Sequence, residues 1–191
     1  MKTNTLSFLY CIMNSHPIQV VQPHVETLLP SLLQCAGDNF YKVTAEALLA
    51  LQVLIKVVRS ADGSAAEHPN SGKIAQEIYP AVLQRLKATD IDQEVKETAI
   101  TTMATLLAHL GQYIPQVWPT CVPIFLDRLK NEITRLTAVK ALNMIASSTI
   151  VDLDMRGVIG EAIPVLSSFL RKNQRALKLA TLGLLDTLVK R

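Results

Sequence analysis

The sequence predicts an all-α fold, an α-solenoid of about four stacked helix pairs plus one leading helix. Three observations carry this expectation. Hydrophobic residues make up 49% of the 191 residues and are mostly Leu, Ala, Val and Ile, with 5% aromatics and 7 glycines. That composition suits packed helices better than sheets. Second, a proline recurs inside an apolar run: "TLLPSLLQCA" (Pro30), "EIYPAVLQRL" (Pro80), "TCVPIFLDRL" (Pro123) and "EAIPVLSSFL" (Pro164). The interval is roughly 40 to 50 residues, the size of a repeated helix pair. Third, each run is followed by a short polar residue, then by an alanine seven positions on and an apolar residue eleven positions on. These sets are Asp38, Asp92, Asn131 and Asn173; Ala45, Ala99, Ala138 and Ala180; Leu49, Met103, Leu142 and Leu184.

The elements follow from that register. An opening helix over 2–14 reads as the second half of a pair. The pairs are then 23–36 with 39–59, 73–88 with 92–110, 115–130 with 132–147, and 156–171 with 174–190. In each pair the first helix is expected to bend at its proline, which lacks a donor and clashes with the preceding turn. The second is expected to start on an Asp or Asn cap, whose side-chain oxygen accepts from free first-turn amides. The alanine permits close approach of helices, and the apolar residue four positions later lies on the same face. A lone pair cannot bury its apolar side, so the pairs stack as one array over 1–191. The stretch "RSADGSAAEHPNSGK" breaks the rhythm. It predicts a mobile inter-repeat loop over 60–73, because Ser, Gly and Pro disfavour helix. Neither end carries a polar capping repeat, so the chain is expected to be a piece of a longer solenoid.

Composition also narrows function. The net charge of +3 falls well short of a nucleic-acid domain, and the cations are not interleaved with aromatics. No apolar run approaches the roughly 18 residues of a membrane span. Cys11, Cys35 and Cys121 are odd in number and unpaired by spacing, which predicts reduced, buried thiols. A cytoplasmic and nuclear setting follows as an expectation.

Chemistry-bearing patterns are weak. His16, His24, His68 and His109 are scattered and read as surface or capping histidines, with His68 in the loop. "LGQYIP" and "VIGEAIP" each hold one glycine, which punctuates helices and cradles no phosphate. Asp90, Asp92, Glu94 and Glu97 are clustered but lack the central glycine and terminal glutamate of a calcium loop. Trp118 in "PQVWPTCVP" reads as a wedge between repeats or as an exposed anchor for a partner. No groups are poised as acid, base or nucleophile, so no enzyme, metal, cofactor or small-molecule substrate is expected.

Two basic stretches remain, "LKNEITRLTAVKAL" and "LRKNQRALKLATLGLL". In the register Lys130, Arg171 and Lys172 fall at the turn joining the two helices of a pair. Arg135, Arg175 and Lys178 fall at or near the start of the second helix. Equivalent turns of stacked pairs lie side by side, so these six residues can form a ridge. It is either a solvated surface with local ion pairs or a docking ridge for an acidic protein surface.

The stretches "GDNFYKVTAEALL", "RLKATDIDQEVKE", "RLKNEITRLTAVKAL" and "SFLRKNQRALKLATL" include exposed polar residues in fixed order. Through them the chain resembles the central HEAT-repeat segment of the cullin-associated and neddylation-dissociated family. The loop 60–73 and "YIPQVWPTC" depart from the family pattern, and nothing is carried over there. The resemblance implies a non-enzymatic, monomeric scaffold. Its partner would be an unneddylated cullin with its RING subunit, its role substrate-receptor exchange on cullin-RING ubiquitin ligases, and its candidate contacts the six ridge cations. The alternative is a HEAT scaffold of the nuclear-transport or phosphatase type.

Overall fold

A computed structural model describes residues 1–89 and 91–191. Its α-helices are α1 (Lys2–Ser15), α2 (Ile18–Val21), α3 (Val25–Ala36), α4 (Tyr41–Val58), α5 (Ser71–Lys87), α6 (Gln93–Leu110), α7 (Val117–Lys130), α8 (Arg135–Ala146), α9 (Arg156–Phe169) and α10 (Arg175–Val189). Short 3-10 turns occupy Gln22–His24 and Gly111–Tyr113. The all-α solenoid is present. The helices form two rows: α3, α5, α7 and α9 are the first helices of the pairs, and α4, α6, α8 and α10 are the second. α1 packs against α4 and takes a second-helix place, as the register predicts. Among the described residues no helix is long and apolar enough to cross a membrane.

The core lies between the rows. Ala45, Ala99 and Ala138 are buried, as are Met103, Leu142 and Leu184 eleven residues after their turns. Leu49 and Ala180 are only half-buried. Full burial of a Leu or Ile side chain is worth about 1.5–3 kcal/mol, and the largest fully buried side chains, Leu29, Leu32, Leu48, Ile74 and Ile78 among them, are spread over several helices. No single helix owns the core, which is why the pairs must stack.

The four prolines fall inside α3, α5, α7 and α9, and all four are exposed. The carbonyl that each leaves without a partner therefore faces water and not the apolar interior.

Several expectations are corrected. Asp92 caps α6 directly, accepting from the Glu94 amide at 2.8 Å. Asp38 and Asn131 accept instead from Phe40 and Ile133, both at 2.9 Å, and the helices begin later, at Tyr41 and Arg135. These are Asx turns one step upstream of the helix. No side-chain bond caps α10. The thiols also divide: Cys121 is buried, Cys35 half-buried and Cys11 exposed, because Cys11 falls outside the buried stripe of α1, which is Leu6 and Met13. Burial drives the Cys121 thiol up to about 12. Gly111 follows α6 as punctuation, but Gly160 sits within α9. A Cβ on Gly111 would meet Val151 at 3.3 Å, so glycine lets the segment leading to α9 lie close.

The stretch expected as a mobile loop over 60–73 is tied down at several points. Gln19 donates to the Ser64 carbonyl at 3.1 Å and Gln22 to the Ala66 carbonyl at 2.9 Å. The Tyr113 hydroxyl donates to Glu67 at 2.6 Å, and Asn70 to Glu26 at 2.6 Å. His68, expected at the surface, is buried, and its Nδ1 accepts from the Asn70 amide. The helix α5 already starts at Ser71, whose hydroxyl donates to the His68 carbonyl at 2.6 Å.

Candidate protein-binding surface

The edge where first helices turn into second helices is braced by side chains in the first and third pairs, at different places in the register. An Asx turn holds the chain, and a threonine six residues beyond a carbonyl closes the corner. Thr44 donates to the Asp38 carbonyl and Thr134 to the Arg128 carbonyl, each at 2.8 Å.

Along this edge runs a feature that the charge pattern concealed. Arg85 and Arg128 each stand five residues after their repeat's proline, and each reaches back to the preceding repeat. Arg85 Nε donates to the Ala36 carbonyl at 2.9 Å, at the end of α3. Arg128 Nη2 donates to the Leu86 carbonyl at 3.1 Å, in the last turn of α5. A cation there meets the negative end of the helix and satisfies carbonyls that the helix leaves unpaired. The sequence signal was available in "LQRLK" and "LDRLK" at matching offsets from Pro80 and Pro123. It is absent from the last pair, where that offset holds Phe169.

Of the six ridge cations, Lys130, Arg171, Lys172 and Arg175 are exposed and Lys178 is half-exposed. Among the described residues no carboxylate lies within ion-pair distance of these five. Arg135 departs from the ridge expectation. It is 8% exposed, pairs with Glu132 at 2.9 Å and lies 5.6 Å over the Phe169 ring. It therefore joins α8 to α9 and is not free for a partner. The edge is also not uniformly basic. Asp92 and Glu94 at the second turn are exposed acids; Asp90 lies outside the described residues. Uncommitted positive charge is densest at the fourth turn, with Arg171, Lys172 and Arg175 exposed, while Lys42, Lys87 and Lys130 each contribute one exposed cation at the first, second and third turns.

The opposite edge, where second helices end, is stapled by Arg59. Its guanidinium donates to the carbonyls of His109 at 3.3 Å and Ile150 at 3.2 Å, and pairs with Glu67 at 3.3 Å. His109 returns an Nδ1–H bond to the Arg59 carbonyl at 2.8 Å. Burial holds the His109 imidazole below its ordinary value, with the charges of Lys56 and Arg59 adding to the shift and the carbonyl contact opposing it. Ser148 donates to the Ala108 carbonyl at 2.6 Å and Arg191 to the Ala146 carbonyl at 3.3 Å. Trp118 is 5% exposed and donates to the Asp154 carbonyl at 2.8 Å, so it acts as the wedge and not as the exposed anchor.

Two rows of stacked helices, joined through main-chain carbonyls and presenting long polar edges, define an armadillo- or HEAT-like repeat scaffold. The chain superposes on a designed armadillo repeat protein, solved in complex with a (KR)4 peptide, with a TM-score of 0.53 at 17% identity, covering 96% of this chain and 91% of that one. At that identity the likeness concerns the fold alone. The sequence narrows the class further. A family model described as "CAND1-like, TPR repeats" matches residues 1–103. The chain is 43% identical over 190 residues to Cullin-associated NEDD8-dissociated protein 1 of Drosophila melanogaster, covering 99% of this chain and 15% of the relative. It is 45% identical over 187 residues to Cullin-associated NEDD8-dissociated protein 2 of Mus musculus, covering 98% of this chain and 15% of the relative. The chain thus spans 15% of the length of these curated relatives. It belongs to the CAND1-like repeat family, the cullin-associated NEDD8-dissociated proteins.

Proposed function

We propose that this chain is a non-catalytic scaffold segment of a cullin-binding exchange factor, acting in the cytoplasm and nucleus. In this reading it helps hold an unneddylated cullin with its RING subunit and supports exchange of substrate receptors on cullin-RING ubiquitin ligases. The observation that carries the reading is identity above 40% with cullin-associated relatives over nearly the whole chain. The fold adds a means: stacked pairs display a long, rigid edge whose exposed cations are not consumed by internal pairs. Lys130, Arg171, Lys172, Arg175 and Lys178 are its candidate contacts. Arg135 is set aside, because removing it would unsettle α8 and α9 whatever it did to binding.

The test is a pulldown of purified unneddylated cullin–RING by the longest native chain that contains these residues. The unaltered protein is expected to retain the complex, and reversal of the five cations to Glu to weaken retention at least tenfold. Full retention by the charge-reversed protein removes the edge from the proposal. No retention by the unaltered protein removes the cullin reading itself.

A further inference from the structure

Counting two residues past each Asx position reaches Phe40, Glu94, Ile133 and Arg175, one from each successive repeat. All four are exposed. Phe40 and Ile133 are 51% and 57% exposed, high values for bulky apolar side chains. In the first three repeats the reason is local: the Asp or Asn side chain binds the amide of that residue and fixes the corner. Phe40 also stacks edge-to-face with Tyr41, the centroids 5.4 Å apart, and Lys42 lies 5.9 Å from the Tyr41 ring. A rigid, part-exposed aromatic pair is the kind of group that anchors a partner at low entropic cost.

We propose that this turn edge is a linear docking track for an extended segment of another protein, read one repeat at a time. It rests on the view that this edge is a contact surface, but it does not depend on cullin being the partner. Charge and polarity along the track specify the occupant. An apolar side chain meets Phe40, a basic one meets Glu94, a second apolar one meets Ile133, and acidic ones meet Arg175 with Arg171 and Lys172. Asp92 is a second exposed acid on the Glu94 turn and adds to its preference for a basic group, whereas Asp38 is paired with Lys2 at 2.8 Å and Glu132 with Arg135 at 2.9 Å. Stacked helices sit about 10 Å apart, and an extended chain advances about 3.3 Å per residue. The complementary groups therefore recur about every three residues.

The probe is a fluorescent peptide of about a dozen residues in the order Phe, Lys, Phe, Asp-Glu, separated by paired serines, together with its sequence reversal to cover both chain directions. Fluorescence anisotropy against the purified chain is expected to show binding of one direction. Exchanging the Lys and the acids is expected to weaken it at least tenfold, and so is the double variant Phe40→Ser with Ile133→Ser. A chain carrying Glu94→Lys and Arg175→Glu is expected to reverse the preference between the two charge versions. These side chains are exposed, so the variants should melt as the unaltered chain does, and the preference reversal cannot arise from unfolding. Absence of binding by either direction, equal binding of both charge versions, or no reversal by the charge-swapped chain would overturn the track. Tighter, salt-sensitive binding of a short DNA duplex would overturn the choice of a protein segment. The cullin pulldown is a separate measurement, so failure of the cullin reading is distinguishable from failure of the track.

Discussion

At the scale of single residues, two arginines with similar-looking ion pairs differ in what they do. Arg128 is 9% exposed and supplies the Leu86 carbonyl. Arg128→Ala leaves a helix end unpaired and is expected to cost about 2 kcal/mol, as for other bonds between a charged donor and a buried acceptor. Arg156, exposed beside Asp154 at 2.8 Å, makes a surface pair, and Arg156→Ala is expected to leave the melting temperature unchanged. Parallel thermal melts separate them. His109 supplies a pH effect. Its pKa lies below 6.5 in the folded chain, chiefly through burial. The folded state therefore binds fewer protons there than the unfolded state. Its contribution is complete above about pH 6.5 and is lost as pH falls through the lower folded value. Melts between pH 7 and 5 are expected to decline, and His109→Gln is expected to flatten that decline. The sequence showed His109 near a helix end but not the Arg59 carbonyl, fifty residues away, that meets its ring.

At the scale of the element, the repeated alanine is the most legible feature and the easiest to challenge. Ala138 is fully buried, whereas its equivalent Ala180 is half-buried. Ala138→Leu is expected to destabilise by about 2 kcal/mol through overpacking, and Ala180→Leu by clearly less, as read from urea midpoints. The existence, order and pairing of the long helices were legible because their period and prolines repeat. Their starts were less so. Asn131 looked like a cap, yet the chain spends Asn131 to Thr134 in a turn before α8. The same oxygen can cap a helix directly or close an Asx turn upstream of one, and local sequence does not choose between them. Residues 60–73 read as loose from composition, but Gln19, Gln22 and Tyr113 supply hydrogen bonds from other elements.

At the scale of the whole molecule, stability in a stack of repeats is a sum of units and the joints between neighbours. Most joints here connect adjacent repeats. Arg59 does more: it reaches carbonyls near the ends of α6 and α8 from the end of α4. Arg59→Ala is expected to lower the urea m-value or split the transition, because three repeats lose a shared tie. A sharp single transition with an unchanged slope would show that adjacent-helix packing alone sets cooperativity. The docking edge belongs to this scale as well, since no one repeat contains it.

Sequence by itself determined the all-α solenoid, the pairing of helices, the leading half-pair and the family, because these depend on periodic residues close together in the chain. Tertiary structure alone decided which cations are free. Lys130 and Arg135 lie in one basic stretch, yet Lys130 is exposed while Arg135 is buried over Phe169. Charge is a property of a residue, but availability depends on neighbours contributed by other repeats. A ridge drawn from charge alone therefore becomes, in three dimensions, a patterned edge of apolar, acidic and basic positions.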